Sequence, residues 1–187
     1  RKDMERTRSL LSEFLATLPT LSDPEREKAV EEFDTNFMDV GNYFTNSNQP
    51  EVSIELADMV LAAGHPSPNV LMTRGMAMAI RARDARSADR MAEVEHWHAQ
   101  SELISQEISS RYPDSYYSDL LMASLLRVQG RYREAAPHFA IAHEKAQRAG
   151  LSLDDQYRVF LKSFAEDLLE TGNDHLAEET RDSAHSL

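Results

Sequence analysis

The chain has 187 residues, 41% of them hydrophobic, with 20 Lys and Arg against 32 Asp and Glu and a formal net charge of −12. That is enough apolar material for a core and too much for a disordered chain, while the acidic balance argues against binders of nucleic acid or anionic membranes, which present a basic face. The absence of cysteine excludes disulfides, thiolate metal sites and cysteine nucleophiles, and leaves a cytoplasmic location, slightly favoured, and a periplasmic one both open.

No apolar run approaches the roughly 20 residues of a bilayer-spanning helix. The first residue is Arg1 rather than Met, so a piece of a longer chain is expected, with any leader, anchor or further domain outside it. Glycine and proline are scarce, at 6 and 7, and Ala, Leu, Met, Glu and Arg dominate, which favours helices. Residues 4–18 predict a first helix with Leu10, Leu11, Phe14, Leu15 and Leu18 on one face. Ser22 and Glu25 have capping-box spacing, and Pro24 suits a first helical turn. The helix they open places Val30, Phe33, Phe37, Val40 and Phe44 together. Both stripes read as core faces.

Breaks follow at 46–50, 64–68, 84–87, 112–113, Gly130, 150–153 and 172–173. Gly150 and Gly172 suit helix C-terminal positions with a left-handed backbone. Between the breaks lie segments of helical length that repeat a pattern. Gly41 and Gly75 stand 34 residues apart. Ala123 is followed by Leu126, Gly130, Tyr132, Ala135, Phe139 and Ala142, and Ala165 by Leu168, Gly172, Asp174, Ala177 and Ala184. Two antiparallel helices approach closely only where a residue at the crossing is small. Gly41, Gly75, Ala123 and Ala165 are expected to be that contact on the first helix of each pair, with Ser53, Ala135 and Ala177 as counterparts on the second.

At these residues, and above all in the stretch from Leu126 to Ala136, the chain resembles the tetratricopeptide repeat family. The resemblance implies an all-α fold, a right-handed α-solenoid of antiparallel helix pairs with about eight or nine helices. It implies an N-terminal flanking helix over 1–20 and a repeat domain over 21–187, with units at about 34–67, 68–113, 114–149 and 154–187. The second unit carries about 14 extra residues, expected as extensions of both helices around Asp84 to Arg90. The third-to-fourth step is eight longer than standard, which suggests a longer second helix or loop near Gln147 to Asp154. An ordinary helical bundle is the alternative architecture.

Proteins similar to this family are non-catalytic scaffolds whose first helices line a concave groove for a partner peptide or helix. Carried onto this chain, the groove residues are Met38, Asn42, Asn46, Met72, Met76, Ile80, Leu120, Ser124 and Arg127. The basic, carboxylate-clamping groove of chaperone-binding members is not expected, since Met38, Thr73 and Leu121 stand at its positions. The expected partner is a protein or peptide, without nucleic acid, cofactor or metal and without membrane insertion of this segment. The alternative function is structural self-assembly, as a dimer or stacked solenoid within a larger complex, membrane-associated or not, with Leu10, Phe14 and Leu18 turned to whatever lies beside the first helix.

The remaining candidates point away from catalysis. Glu93 with His96 and Glu95 with His98 have ligand spacing on a helix, but two ligands do not make a metal site. His138 and His143 are five apart, a poor helical pairing. No phosphate-binding glycine loop, nucleophile elbow or His-Glu-x-x-His pattern occurs, so no enzyme is expected. Arg74, Arg81, Arg83, Arg86 and Arg90 read as a solvated helix face interrupted by Asp84 and Asp89. Trp97, the only tryptophan, is expected to fill space beside the long helices of the second unit.

Overall fold

The computed structural model describes residues 2–170 and 172–186. Arg1 and Leu187, the ends of the expected range, lie outside the described residues. Among those described, the chain forms nine α-helices, one short 3-10 turn and no strand. They are α1 (Lys2–Thr17), α2 (Asp23–Asn46), α3 (Pro50–Ala62), α4 (Pro68–Ser87), α5 (Met91–Arg111), α6 (Tyr117–Val128), α7 (Tyr132–Arg148), α8 (Asp154–Glu170) and α9 (Asp174–Ser186), with the 3-10 turn Leu18–Thr20 after α1.

The chain divides into two compact units, Arg1–Arg111 and Tyr112–Leu187. In the first, α2 pairs with α3 and α4 with α5. Helix α4 also packs on α2 and α3, and α1 lies against α3. Its core gathers Leu11, Phe37, Phe44, Val52, Leu56, Val60 and Val70. In the second unit α6 pairs with α7 and α8 with α9, and α7 meets α8. Its core is an aromatic stack, with Phe139 and Phe160 ring centroids 4.6 Å apart and Phe160 and Phe164 6.0 Å apart.

Local chemistry fixes the helix ends. At α2 the Ser22 amide donates to the Glu25 carboxylate at 3.1 Å and closes the capping box. Six helix ends share one terminator. Asn48, Gly64, Asp89, Gly130, Gly150 and Gly172 all have positive φ, between 57° and 81°. The amide after each donates five residues back, to the carbonyls of Phe44, Val60, Ala85, Leu126, Ala146 and Leu168. This is the Schellman arrangement, and it satisfies a carbonyl that would otherwise lack a partner. Every carbonyl used belongs to a buried residue, so the turn and the core contact are set by one residue. Asn and Asp replace glycine at two of these ends because their short polar side chains tolerate the left-handed region.

The terminators expose how the second hairpin is lengthened. Asn48 lies seven residues after Gly41, Gly130 seven after Ala123, and Gly172 seven after Ala165. Asp89 lies fourteen after Gly75. On the return helix Ser53, Ala135 and Ala177 come five residues after their terminators, whereas Ser101 comes twelve after Asp89. The extra fourteen residues are thus split seven and seven. Each arm grows by about two turns, roughly 10 Å, and the face it presents is almost unchanged.

The small residues meet as their spacing requires. The Ser53 hydroxyl donates to the Gly41 carbonyl at 2.8 Å, and the Ser101 hydroxyl to the Gly75 carbonyl at 2.9 Å. Ser53, Ser101, Ala123, Ala135, Ala165 and Ala177 are fully buried. Ser101 is the counterpart of Gly75 that spacing alone did not reveal, because the insertion moves it. Gly41 has a second duty toward α4. A Cβ built there would lie 2.2 Å from Thr73 Cγ2, so α2 and α4 pack at a distance only glycine permits.

Candidate binding groove

Helices α1 and α2 turn apolar faces toward each other without closing. Their rings meet at one end, with Phe14 stacked on Phe33 at 4.7 Å. Among the described residues no Cα of α1 comes within 8 Å of one in α2, whereas closely packed helices run with axes about 8–10 Å apart and bring several that near. Helix α1 leans on α3 instead, where Arg8 forms an ion pair with Glu55. The result is a cleft of about 630 Å³. Leu11, Phe37, Phe44 and Leu56 are its buried floor, and Leu10, Val40 and Tyr43 are its walls. Leu10 and Tyr43 are each 56% exposed and Val40 36%. Asp39 and Thr7 are its only polar lining residues among those described.

This corrects the expectation that both stripes are simply core faces. Leu11, Phe37 and Phe44 are interior, but Leu10 and Val40 face solvent, and Leu18 is buried in the 3-10 turn rather than turned outward. Leu10 alone of the three residues expected to face outward is strongly exposed; Phe14 is half-buried. Tyr43 carried no sequence signal beyond lying next to Phe44. The cue that could have revealed the cleft is an excess of apolar side chains on two successive helices joined by only a few residues.

The residues expected to line a concave groove fall in both units. Met38 is half-buried and Asn42 and Asn46 are exposed on α2; Met72 is buried and Met76 and Ile80 are half-buried on α4. Leu120 and Arg127 are half-buried on α6, and Ser124 is buried, with its hydroxyl bonded to the Leu120 carbonyl at 2.8 Å. Met72 and Ser124 are therefore interior side chains. At 100° per residue, Met38, Asn42 and Asn46 point about half a turn away from Phe33, Phe37, Val40 and Phe44. The floor of the cleft and that surface therefore lie on opposite sides of α2, with Asp39 and Tyr43 on the flank between them.

The arginine cluster is an ion-pair ladder rather than a basic patch. Arg74 pairs with Asp58 at 2.6 Å and Arg81 with Glu51, joining α4 to α3 in antiparallel register. Arg83 pairs with Asp84 and Arg90 with Glu93. The Arg81 guanidinium also lies 5.5 Å from the centre of the half-buried Trp97 ring, a cation–π contact. The histidines are engaged locally. His138 meets Asp119 at 3.3 Å, where Lys145 also bonds at 2.9 Å. His143 Nε2 donates to Asp154 at 2.7 Å. Burial pushes the His98 imidazole below its usual range, with Arg86 adding to the effect. Among the described residues no group of three or more His, Asp or Glu is placed to hold a metal, and no helix is long and apolar enough to cross a membrane.

Comparison with protein-family models, with curated proteins and with solved structures gives no match in any of the three. The cleft is therefore read from its own chemistry.

Proposed function

We propose that the chain is a non-catalytic protein-interaction module, a solenoid of stacked helical hairpins related to tetratricopeptide repeats, that takes a partner's helix into the cleft between α1 and α2. The observation that carries this reading is the cleft itself. Three large apolar side chains stand exposed around a buried aromatic floor, and apolar concavities of this size mark ligand and partner sites. An amphipathic helix laid into an apolar groove is a recurrent recognition mode, in which side chains at i, i+3, i+4 and i+7 fill the floor. The recurrence of Gly or Ala opposite Ser or Ala at each hairpin crossing supports the stacked-hairpin architecture.

The test is co-purification of partners from native extract with the full chain, its Tyr43→Asp variant and its Met76→Glu variant. Tyr43→Asp is expected to lose the partner and Met76→Glu to keep it. Retention by Tyr43→Asp with loss by Met76→Glu would move the binding surface to the opposite side of α2. Self-assembly is the second reading, favoured by exposed Val159, Leu169 and Leu176 on α8 and α9. Light scattering at rising concentration separates it, since a particle that stays monomeric removes it.

A further inference from the structure

We infer that the first unit holds a second site, a chamber for a compact aromatic molecule of about the size of indole that carries one hydrogen-bond donor. It is separate from the cleft and does not rest on the helix-binding reading. A cavity of about 180 Å³ lies where the end of α1, the 3-10 turn, α2 and the loop between α3 and α4 meet. Leu18, Val60 and Val70, each 1% exposed, close its inner end, and Leu15 and Val30 add to its sides. Phe14 and Phe33, stacked at 4.7 Å, line both this cavity and the cleft and so stand between the two.

The volume sets the size of the guest. Native interiors interlock so closely that spaces larger than one water are few. An apolar cavity of roughly 150 Å³ walled by Leu, Ile and Phe admits benzene, so this chamber admits one ring or a fused pair and excludes a helix. The walls set its polarity. Aliphatic side chains and rings supply most of the lining, and rings gain from edge or offset contact with Phe14 and Phe33. The polar residues stand together on one side, Asp34 from α2 with His65 and Ser67 from the loop, beside the exposed Gly64 and Pro66. Asp34 is fixed there. One of its oxygens accepts the Ser67 hydroxyl and the other the Asn69 amide at 3.0 Å. A carboxylate has about four acceptor positions, so Asp34 retains capacity for an N–H or O–H of the guest. The apolar body of the guest then faces Leu18, Val60 and Val70.

The experiment titrates the isotope-labelled full chain with indole and with indene, which has the same shape and lacks the N–H. Indole is expected to bind with a Kd below about 1 mM and indene about tenfold more weakly. In amide spectra indole is expected to shift Leu18, Val60 and Val70 and to leave Val40 and Tyr43 in place. It is also expected to raise the thermal midpoint, because only the folded chain has the chamber. Val30→Phe, which extends a ring into the chamber, is expected to weaken indole by at least about tenfold. Leu15→Phe makes the same test from α1. Circular dichroism checks that both variants keep their helices, and the shift pattern of the unaltered chain decides if either does not. Equal affinity for indole and indene would overturn the role of the donor. Binding of neither ring, or shifts gathered at Val40 and Tyr43, would overturn the chamber as a site and leave the helix-binding cleft to its own test.

Discussion

Gly41 shows how one residue can serve two contacts. Its carbonyl receives the Ser53 hydroxyl from α3, and its missing side chain admits Thr73 from α4. Adding a methyl forces a clash of buried atoms in a packed interior. Gly41→Ala is expected to cost about 1–3 kcal/mol in urea unfolding. Thr73→Ser removes the methyl at 2.2 Å and is expected to recover a large share of that loss in the double variant. Additive losses would show that the contact is not the cause. Ser101→Ala tests the displaced partner of Gly75 and is expected to cost about 1 kcal/mol through the lost hydrogen bond. At this scale the sequence was legible for the small residues, because close helix crossings tolerate few side chains. It was silent on Ser101 and on the exposure of Leu10 and Val40, since spacing says which residues share a face and not what covers that face.

Between elements, α7 and α8 are joined by one polar contact worth isolating. His143 is buried on α7, and its ring donates to Asp154 at the start of α8. The hydrogen bond from His143, followed by that from Ser152, holds the Asp154 carboxyl below its ordinary value. Its pKa is therefore lower folded than unfolded. The stabilisation is fully present above the unfolded value of about 4 and fades as pH falls through the folded one, because the unfolded chain binds the proton first. Asp154→Asn is expected to lower stability at pH 7 and to flatten its decline below pH 4. A variant that tracks the parent across that range would show the contact to be idle. The boundaries of α7 and α8 could be anticipated from Gly150. The bond between His143 and Asp154 could not, since it depends on how far α7 runs before it turns; the spacing of His138 and His143 said only that these two make a poor pair with each other.

For the whole molecule, each unit has a core of its own, one around Phe37 and Phe44, the other around Phe139 and Phe160. Phe160→Ala is expected to cost about 3–5 kcal/mol and, in amide exchange of the full chain, to lower protection within Tyr112–Leu187 while α2 to α4 stay protected. Gly41→Ala is expected to do the reverse. A fall in both units from either change would show one cooperative body. The all-helical class was readable from composition and from the breaks, because left-handed turn residues are few in kind. The open cleft was not, because an amphipathic stripe looks the same whether or not its neighbour closes over it.

The matched growth of α4 and α5 has an evolutionary corollary. A hairpin that gains two turns on each side of its tip keeps its root contacts in phase, so its length is free to vary among descendants in paired steps of seven. Loss of one such step from a single arm would leave the two helices of the hairpin about 10 Å out of alignment at Asp89. Natural variants of this region should therefore differ by fourteen residues and seldom by seven.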